Sequence, residues 1–391
     1  MFRHALLAVL ALPLAALAQL RADFDLGAQW KVNSTARLMS GLEPNVPSHV
    51  AFAQTQAWLD HSAAMQDSWN RLREGRVAAM TTWRDSAISR TCPLGKTLLY
   101  PFSGPDFFNA YWMFPDCETF VMFGLEHPGD VPDIEAMTEK QLQRLIADTR
   151  IATADLFKRN YFITDHMARH LRTPHLRGVV PLVMISMTMS GLEILRVVPK
   201  DIERLRTRQV AGEAPMREFK GVTIEFRVPG SPGVRRMHYF SLDVTNNGLR
   251  HYPEFVDYLR SLGPTTTFIK SASYLLHGGN FSVIHNTLLD VSGFIVQDDS
   301  GFPYGSLARN WEVKLYGRYG KPIPPFQRAF QVSLAREWQA RQPDPLPFTF
   351  GYQYHDRRDE RSHVIVARKR QGPQAALHGN GDPLARADSP R

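Results

Sequence analysis

The stretch KTLLYPFSGPDFFNAYWMFPDCETFVMFGLE, residues 96–126, decides the fold of this chain. It contains two continuous apolar runs, at 97–102 and 119–125, which are separated by a turn and a short helical segment. Continuous apolar runs are typical of strands buried on both faces, and a helical crossover between two such strands predicts parallel pairing. The stretch is therefore predicted to form a strand–helix–strand unit of an α/β sheet.

Further apolar segments with strand and helix periods alternate along the chain. Strands are predicted near 191–198, 265–270, 293–296 and 311–319, helices at 48–73, 133–156, 251–262 and 281–291, and a β-hairpin at 221–245 around the turn 229–233. This alternation predicts an α/β domain with a largely parallel, Rossmann-like sheet, a helical extension before it and an inserted hairpin.

The chain divides into five predicted regions. They are a signal peptide at 1–18, an extended leader at 19–46, a helical extension at 47–90, the α/β domain at 91–366 and a disordered tail at 367–391. The tail is polar and rich in glycine and proline, which is typical of disorder.

The first residues have the pattern of an export signal. A basic start at Arg3 precedes an apolar run that ends in Ala16-Leu17-Ala18, which predicts cleavage after Ala18. An uncleaved membrane anchor is the alternative, but the run is shorter than the roughly 20 residues that span a bilayer. The protein is therefore expected in the periplasm or outside the cell.

The two cysteines, Cys92 and Cys117, are an even number in a chain predicted to be exported, which favours a disulfide. Each lies a few residues before a predicted strand. Since the starts of parallel strands meet at one edge of a sheet, a bridge between them is geometrically reasonable. Two buried free thiols are the alternative.

The net charge and the apolar segments limit the classes of partner that the protein is expected to bind. The formal charge is +8, or +7 after loss of Arg3 with the signal (8 − 1 = 7), but no dense run of Lys or Arg marks a dedicated patch. Export argues against nucleic acid, and a small molecule or a glycan is the expected partner.

The uncharged stretch 178–192 is predicted to be a buried core segment rather than a membrane span, so no stable membrane span is expected after cleavage. The oligomeric state is left open.

Polar residues follow the predicted strands where each strand ends. In α/β sheets ligands bind beyond the carboxyl ends of the strands, so these residues form a candidate constellation. Its members are Ser103, Gly104, Asp106, Glu126, Lys270, Ser271, Ser273, Tyr274, Asp298 and Asp299.

Four of these residues are candidates for catalysis. Asp106, Glu126 and Asp298 would supply acid–base or metal contacts, and Lys270 would supply positive charge. A buried structural role, in which these residues merely end strands, is the alternative.

Ser103, Gly104 and Glu126 are candidates for binding a cofactor. A glycine turn after one strand and an acid about 20 residues further on is the layout of nucleotide-binding Rossmann units. It also resembles S-adenosylmethionine-dependent methyltransferases. The turn departs from both, because it reads SGPD rather than GxGxxG and Pro105 lacks a backbone donor. No cofactor is assigned.

Two weaker patterns point to cations. The run Asp298-Asp299-Ser300-Gly301 could hold a hard cation, although a plain turn is the simpler interpretation. His166 and His170 have zinc-compatible spacing but no HExxH motif, so surface histidines are the simpler interpretation and no metal site is predicted. The sequence also lacks the GxSxG and SxxK patterns of nucleophilic enzymes.

The segments YPFSGPDF, KSASYLLH and QDDSG together resemble a family of exported bacterial proteins with no known activity, over roughly residues 90–320. The resemblance implies export but no particular chemistry. Two hypotheses follow from the sequence. The protein is an enzyme acting on a small molecule or glycan at the strand-end cluster, or it is a non-catalytic periplasmic binding or envelope-associated protein.

Overall fold

A computed structural model of the chain describes residues 26–88, 92, 94–158, 160–162, 166, 169–200, 220–352 and 362–370. The predicted signal peptide at 1–18 and residues 371–391 of the predicted tail lie outside the described residues.

The described strands form one mixed sheet. They are β1 (Thr97–Pro101), β2 (Thr119–Gly124), β3 (Glu193–Lys200), β4 (Gly221–Arg227), β5 (Arg235–Ser241), β6 (Thr265–Ile269), β7 (Ser292–Gln297), β8 (Trp311–Gly317) and β9 (His363–Lys369). They lie side by side in the order β3-β4-β5-β2-β1-β6-β7-β9-β8.

The centre of the sheet is parallel and its two flanks are antiparallel. The strands β5, β2, β1, β6 and β7 pair parallel in that order. The pairs β3–β4, β4–β5, β7–β9 and β8–β9 are antiparallel. An α/β fold is confirmed, and the strands predicted near 97, 119, 265 and 293 are parallel neighbours. The term "largely parallel" is too strong, since half of the eight described pairings are antiparallel.

Helices cover the sheet and extend from it. They are α1 (Leu26–Met39), α2 (Pro47–Ala53), α3 (Gln56–Leu72), α4 (Ala78–Ala87), α5 (Phe107–Met113), α6 (Glu139–Lys158), α7 (Val180–Met189), α8 (Asn246–Leu249), α9 (Pro253–Ser261), α10 (Ser282–Val291), α11 (Tyr304–Leu307) and α12 (Val332–Arg341). A π-helical turn at Arg73–Val77 joins α3 to α4.

The extended leader predicted at 19–46 is wrong where it can be compared, because residues 26–39 form helix α1. The sequence lacks an obvious apolar stripe there because polar residues of α1 are buried. The side chain of Asn33 accepts a hydrogen bond from the amide of Ile194 (3.0 Å), and the hydroxyl of Ser34 bonds to His49 (2.8 Å). Tertiary hydrogen bonds therefore satisfy buried polar side chains that the sequence pattern alone would predict to be exposed.

The helix predicted over 48–73 is two helices that meet at Thr55, whose hydroxyl caps α3. The helical extension predicted at 47–90 is also not separate from the α/β core. Trp58, Met65 and Trp69 of α3 are buried in the same apolar cluster as residues of β1 and β2. The helices at 47–87 are thus one layer of the main core.

The segment predicted as an inserted hairpin belongs to the sheet. Strands β4 and β5 pair antiparallel, and β5 also pairs parallel with β2, which places both strands within the nine-stranded sheet. At the other end, β9 runs through Ala367 to Lys369, so the tail predicted from 367 is wrong for these residues. Pairing with β7 and β8 holds them, and an isolated sequence pattern does not reveal such pairing.

Apolar side chains fill both faces of the sheet. Along β1, Leu98 and Tyr100 pack into one buried cluster and Leu99 packs into the other. Successive residues of a strand point to opposite faces, so a continuous apolar run is what a doubly covered strand requires. Helix α7 is buried along its whole length, as the core interpretation of 178–192 requires.

The predicted disulfide is confirmed, since Cys92 and Cys117 are bonded with their Cα atoms 4.9 Å apart. It ties the segment before β1 to the segment before β2. Within the described parts of the chain, no helix combines the length and the apolar character that crossing a membrane requires.

Candidate functional site

A cavity of about 290 Å³ lies at the carboxyl ends of β1, β2, β5 and β6. From β1 the chain goes to β2 on one side and later to β6 on the other, and ligands of open α/β sheets bind at such a reversal. Its polar lining includes Ser103, Asp106, Glu126, Asp243, Lys270 and Ser271.

The turn after β1 brings two strand ends into close contact. The amide of Ser103 donates to the carbonyl of Phe123 at 3.1 Å, and Gly104 has a φ of +50° that suits glycine. A Cβ on Gly124 would lie 2.7 Å from Oε2 of Glu126 and 3.4 Å from the nitrogen of Gly104. A larger residue at 124 would therefore displace the Glu126 carboxylate.

The Asp106 carboxylate is fully engaged by protein donors. One oxygen accepts from the amide (3.3 Å) and the side chain (2.7 Å) of Asn109, so that Asp106 caps the start of helix α5. The other accepts from the Tyr100 hydroxyl at 2.8 Å and lies 2.9 Å from Nζ of Lys270. A carboxylate offers about four lone-pair sites. Asp106 is therefore suited to holding Lys270 and α5 in place rather than to exchanging protons with a ligand.

Lys270 carries a buried ammonium group at the cavity. Its side chain is 1% exposed, and Nζ contacts the Asp106 carboxylate and donates to the carbonyl of Asn160. Burial lowers the pKa of Lys270, and the neighbouring Asp106 carboxylate acts in the opposite direction. An ammonium group has three donors, and among the described residues these two acceptors leave one N–H for a further acceptor.

Two carboxylates at the ends of β2 and β5 form an acceptor wall. The Tyr239 hydroxyl donates to the carbonyl of Glu126 at 2.9 Å and lies 3.4 Å from its Oε2. Burial raises the pKa of Tyr239, which keeps this hydroxyl a donor. Asp243 accepts from the amide and the hydroxyl of Thr245 (2.9 and 3.0 Å). Both carboxylates keep lone pairs that can accept from a ligand.

The loop after β6 holds an unusual backbone conformation. Ser271, Ser273 and Tyr274 all have φ between 53° and 56°, a left-handed region that residues other than glycine seldom adopt. The Tyr352 hydroxyl donates to the carbonyl of Ser271 at 2.6 Å, and the Tyr274 hydroxyl donates to Asp299 at 2.8 Å. The surrounding structure thus fixes a conformation that the loop would not choose by itself.

Asp298 accepts hydrogen bonds that hold the loop after β6 in place. Its Oδ2 accepts from the amide of Ser271 at 3.0 Å, and its Oδ1 accepts from the amide (3.1 Å) and hydroxyl (2.5 Å) of Ser300. The residue is buried and does not line the cavity. Burial and the adjacent Asp299 raise the pKa of Asp298. Its position makes it a support for the loop.

Aromatic rings form the remaining walls. Phe102 and Phe281 line one side, with ring centroids 6.4 Å apart. Tyr161 and Tyr352 line another, with centroids 5.0 Å apart and nearly perpendicular planes. Flat apolar walls beside a few polar groups are typical of small-molecule sites.

The structure brings most of the sequence-predicted residues together. Three of the four catalytic candidates, Asp106, Glu126 and Lys270, line one cavity, and so do the cofactor candidates Ser103 and Gly104. Ser271 and Ser273 also line it, whereas Asp298, Asp299 and Tyr274 lie outside its lining.

Sequence reasoning missed several lining residues, among them Asp243, Thr245, Tyr161 and Tyr352. Asp243 and Thr245 follow β5, and the strand-end rule would have indicated them had the place of β5 beside β2 been known. Tyr161 and Tyr352 come from loops distant in sequence, and no local pattern marks them.

The described residues contain no group of three or more His, Cys, Asp or Glu side chains arranged to hold a metal ion. His166 is bonded to Asp155 (2.8 Å), and its ring centroid lies 5.6 Å from that of His170. The carboxylate oxygens of Asp298 accept hydrogen bonds from the Ser271 amide and the Ser300 hydroxyl.

No protein-family model matches this chain, and no curated protein or solved structure is detectably similar to it.

Proposed function

We propose that this protein is exported and acts as an enzyme on a hydroxylated small molecule, a sugar or a nucleoside, in the strand-end cavity. The observation that carries the proposal is the convergence of Glu126, Asp243 and Lys270 on one cavity with aromatic walls. Each comes from the end of a different strand, at the edge where α/β sheets bind ligands.

The ligand class follows from the chemistry of the walls. Carboxylates with unused lone pairs accept hydrogen bonds from hydroxyl groups, and Glu126 and Asp243 supply such lone pairs on one side. Aromatic faces such as those of Phe102 and Phe281 pack against the flat apolar surface of a sugar ring or a base. A ligand that combines neighbouring hydroxyl groups with a flat surface uses both features.

The strand order supports a nucleoside as one member of this class. Counted along the chain, the five parallel strands have the order 3-2-1-4-5, which is that of Rossmann sheets. The antiparallel β9 between β7 and β8 extends the resemblance to S-adenosylmethionine-dependent methyltransferases, whose sheets have the same arrangement. This support is an analogy of fold, and the site itself has to decide the ligand.

Two features favour catalysis. Residues in left-handed conformations surround the cavity, and backbone strain of this kind clusters at active sites. A buried lysine with a lowered pKa is likewise typical of functional sites. Glu126 and Asp243 are the groups with lone pairs for proton transfer, since donors occupy Asp106.

One observation favours the second candidate, a non-catalytic binding protein. Hydrogen bonds within the protein occupy Asp106 and Asp298, two of the acids from which acid–base chemistry was expected. A site that retains only Glu126 and Asp243 still binds a hydroxylated ligand. Incubation of a bound ligand with the protein, followed by mass spectrometry, separates the two candidates by the presence or absence of a product.

Export is supported by the N-terminal pattern and by the disulfide, because disulfides persist in oxidising compartments. N-terminal sequencing of the secreted protein is expected to begin at Gln19, and a start at Met1 would contradict cleavage.

The test is a thermal-shift screen of the full protein against sugars, nucleosides and S-adenosylmethionine. A ligand that binds the folded state raises the unfolding midpoint. We expect at least one hydroxylated ligand to do so, and Glu126→Gln to weaken its affinity about tenfold or more, because a hydrogen bond to a charged group is lost.

The matched control is Glu312→Gln, which makes the same change on the exposed face of edge strand β8 and is expected to leave the affinity unchanged. The proposal fails if no hydroxylated ligand shifts the midpoint, or if both variants bind as the unaltered protein does.

A further inference from the structure

A second wall of the cavity carries polar groups that can donate hydrogen bonds, namely the Ser103 and Ser271 hydroxyls and the Lys270 ammonium group. Ser103 follows β1 and Ser271 follows β6, and these two strands are neighbours with Leu99 opposite Thr267. Both serines therefore lie just beyond the carboxyl ends of adjacent strands, where both residues line the cavity.

Both serine hydroxyls are buried without a hydrogen-bond partner among the described residues. Ser103 is 7% exposed, and both residues line the cavity. A buried hydroxyl left without a partner destabilises a protein, so such groups are rare and call for an explanation.

The backbone amides beside these hydroxyls are already engaged. The Ser103 amide donates to Phe123, and the Ser271 amide donates to Asp298. Two residues that line the cavity therefore carry side-chain hydroxyls with unused donors. The remaining N–H of Lys270, one residue before Ser271, adds a third.

The two walls are chemically opposite. Glu126 and Asp243 at the ends of β2 and β5 accept hydrogen bonds, whereas Ser103, Ser271 and Lys270 at the ends of β1 and β6 donate them. A sugar or nucleoside with hydroxyl groups alone satisfies the first wall. It does not make full use of the second, which fits an oxygen that accepts several hydrogen bonds at once.

We propose, on the basis of the proposed function, that the ligand carries an acyl oxygen, from a carboxylate or an amide, which Ser103, Ser271 and Lys270 bind. Sugar acids, sugar amides and their nucleoside equivalents belong to this class. The positive charge of Lys270 is balanced by Asp106, so the donors serve a neutral amide as well as a carboxylate.

The experiment compares three forms of one scaffold by isothermal titration calorimetry. Glucose, glucuronamide and glucuronate form one series, and adenosine with its 5′-carboxamide and 5′-carboxylate forms the other. In the scaffold that binds, we expect an acyl form to bind more tightly than the parent. The comparison of amide with carboxylate then separates a neutral from an anionic acceptor.

The serine variants locate the effect. Ser103→Ala and Ser271→Ala are each expected to reduce the ratio of acyl-form affinity to parent affinity about three- to tenfold, the equivalent of one hydrogen bond. Both substitutions keep a Cβ, so the left-handed backbone at Ser271 is not altered. Ser261→Ala is the control, because that exposed hydroxyl donates to the carbonyl of Tyr258 on α9.

The outcomes distinguish this inference from the proposed function. If the parent binds and the acyl forms bind no better, or if the preference survives in both serine variants, the inference is overturned and the proposed function stands. If no form of either scaffold binds, the inference is overturned, and the thermal-shift screen decides the proposed function separately.

Discussion

Two lysine–carboxylate pairs lie at opposite ends of the parallel centre of the sheet. Lys96 and Glu118 lie at the amino ends of β1 and β2, with 2.6 Å between nitrogen and oxygen and with side chains 70% and 54% exposed. Lys270 and Asp106 lie beyond the carboxyl ends of β6 and β1, with 2.9 Å between nitrogen and oxygen and with side chains 1% and 4% exposed. The two pairs are similar in chemistry and length and differ mainly in their access to water.

This difference predicts different energies and different roles. Water screens the exposed pair, and such pairs contribute between nothing and about 1 kcal/mol to stability. The buried pair has lost its hydration, so removing one partner leaves an uncompensated charge in the interior. The amino ends of the strands have a covalent link in the disulfide, whereas the carboxyl ends are held by buried hydrogen bonds.

The largest effect is expected at the buried pair. Lys270→Met leaves the Asp106 carboxylate buried without its cation and should lower the free energy of unfolding by about 3–5 kcal/mol. Urea denaturation followed by circular dichroism measures this change. The double variant Lys270→Met/Asp106→Asn removes the stranded charge as well and should be more stable than Lys270→Met alone. A loss below 1 kcal/mol for the single variant would show that water reaches this pair.

The disulfide at the amino end should have the next largest effect. Replacing both Cys92 and Cys117 by alanine is expected to lower the free energy of unfolding by about 2–4 kcal/mol, because the unfolded chain loses a constraint. Adding a reductant to the unaltered protein should lower its stability by a similar amount and should leave the double variant unchanged. An unaltered protein whose denaturation midpoint did not respond to reductant under unfolding conditions would contradict this expectation.

The smallest effect is expected at the exposed pair. Lys96→Met should change the free energy of unfolding by less than about 1 kcal/mol, and the change should shrink further at high salt, where exposed charges are screened. The same denaturation experiment at two salt concentrations tests this. An effect as large as that of Lys270→Met would remove the distinction between the two ends of the strands.

The sequence was sufficient for the features that depend on neighbouring residues. The apolar runs around Leu99 and Val121 predicted β1 and β2, because a strand covered on both faces has no room for alternating polar residues. The strand-end rule then led to Ser103, Glu126 and Lys270 without any knowledge of the cavity.

The sequence was insufficient where pairing between distant segments decides the environment of a residue. Asp243 joins the site because β5 lies beside β2, and nothing near Asp243 encodes that neighbour. Helix α1 was missed for a related reason, since Asn33 and Ser34 are buried by partners from β3 and α2. Asp298 was placed at the correct strand end, but only the structure shows that its carboxylate faces the loop instead of the cavity.

The position of β9 has a consequence for how the sheet can be completed. This strand comes after every other described strand in the chain, yet it lies between β7 and β8 and hydrogen bonds to both. Until it arrives, β7 is an open edge and β8 has no partner in the sheet, and unpaired edges invite association with other chains. During synthesis, therefore, the sheet cannot be completed before the residues of β9 have emerged. A truncated product that ended before His363 would leave β7 as an unpaired edge strand, which is prone to aggregation.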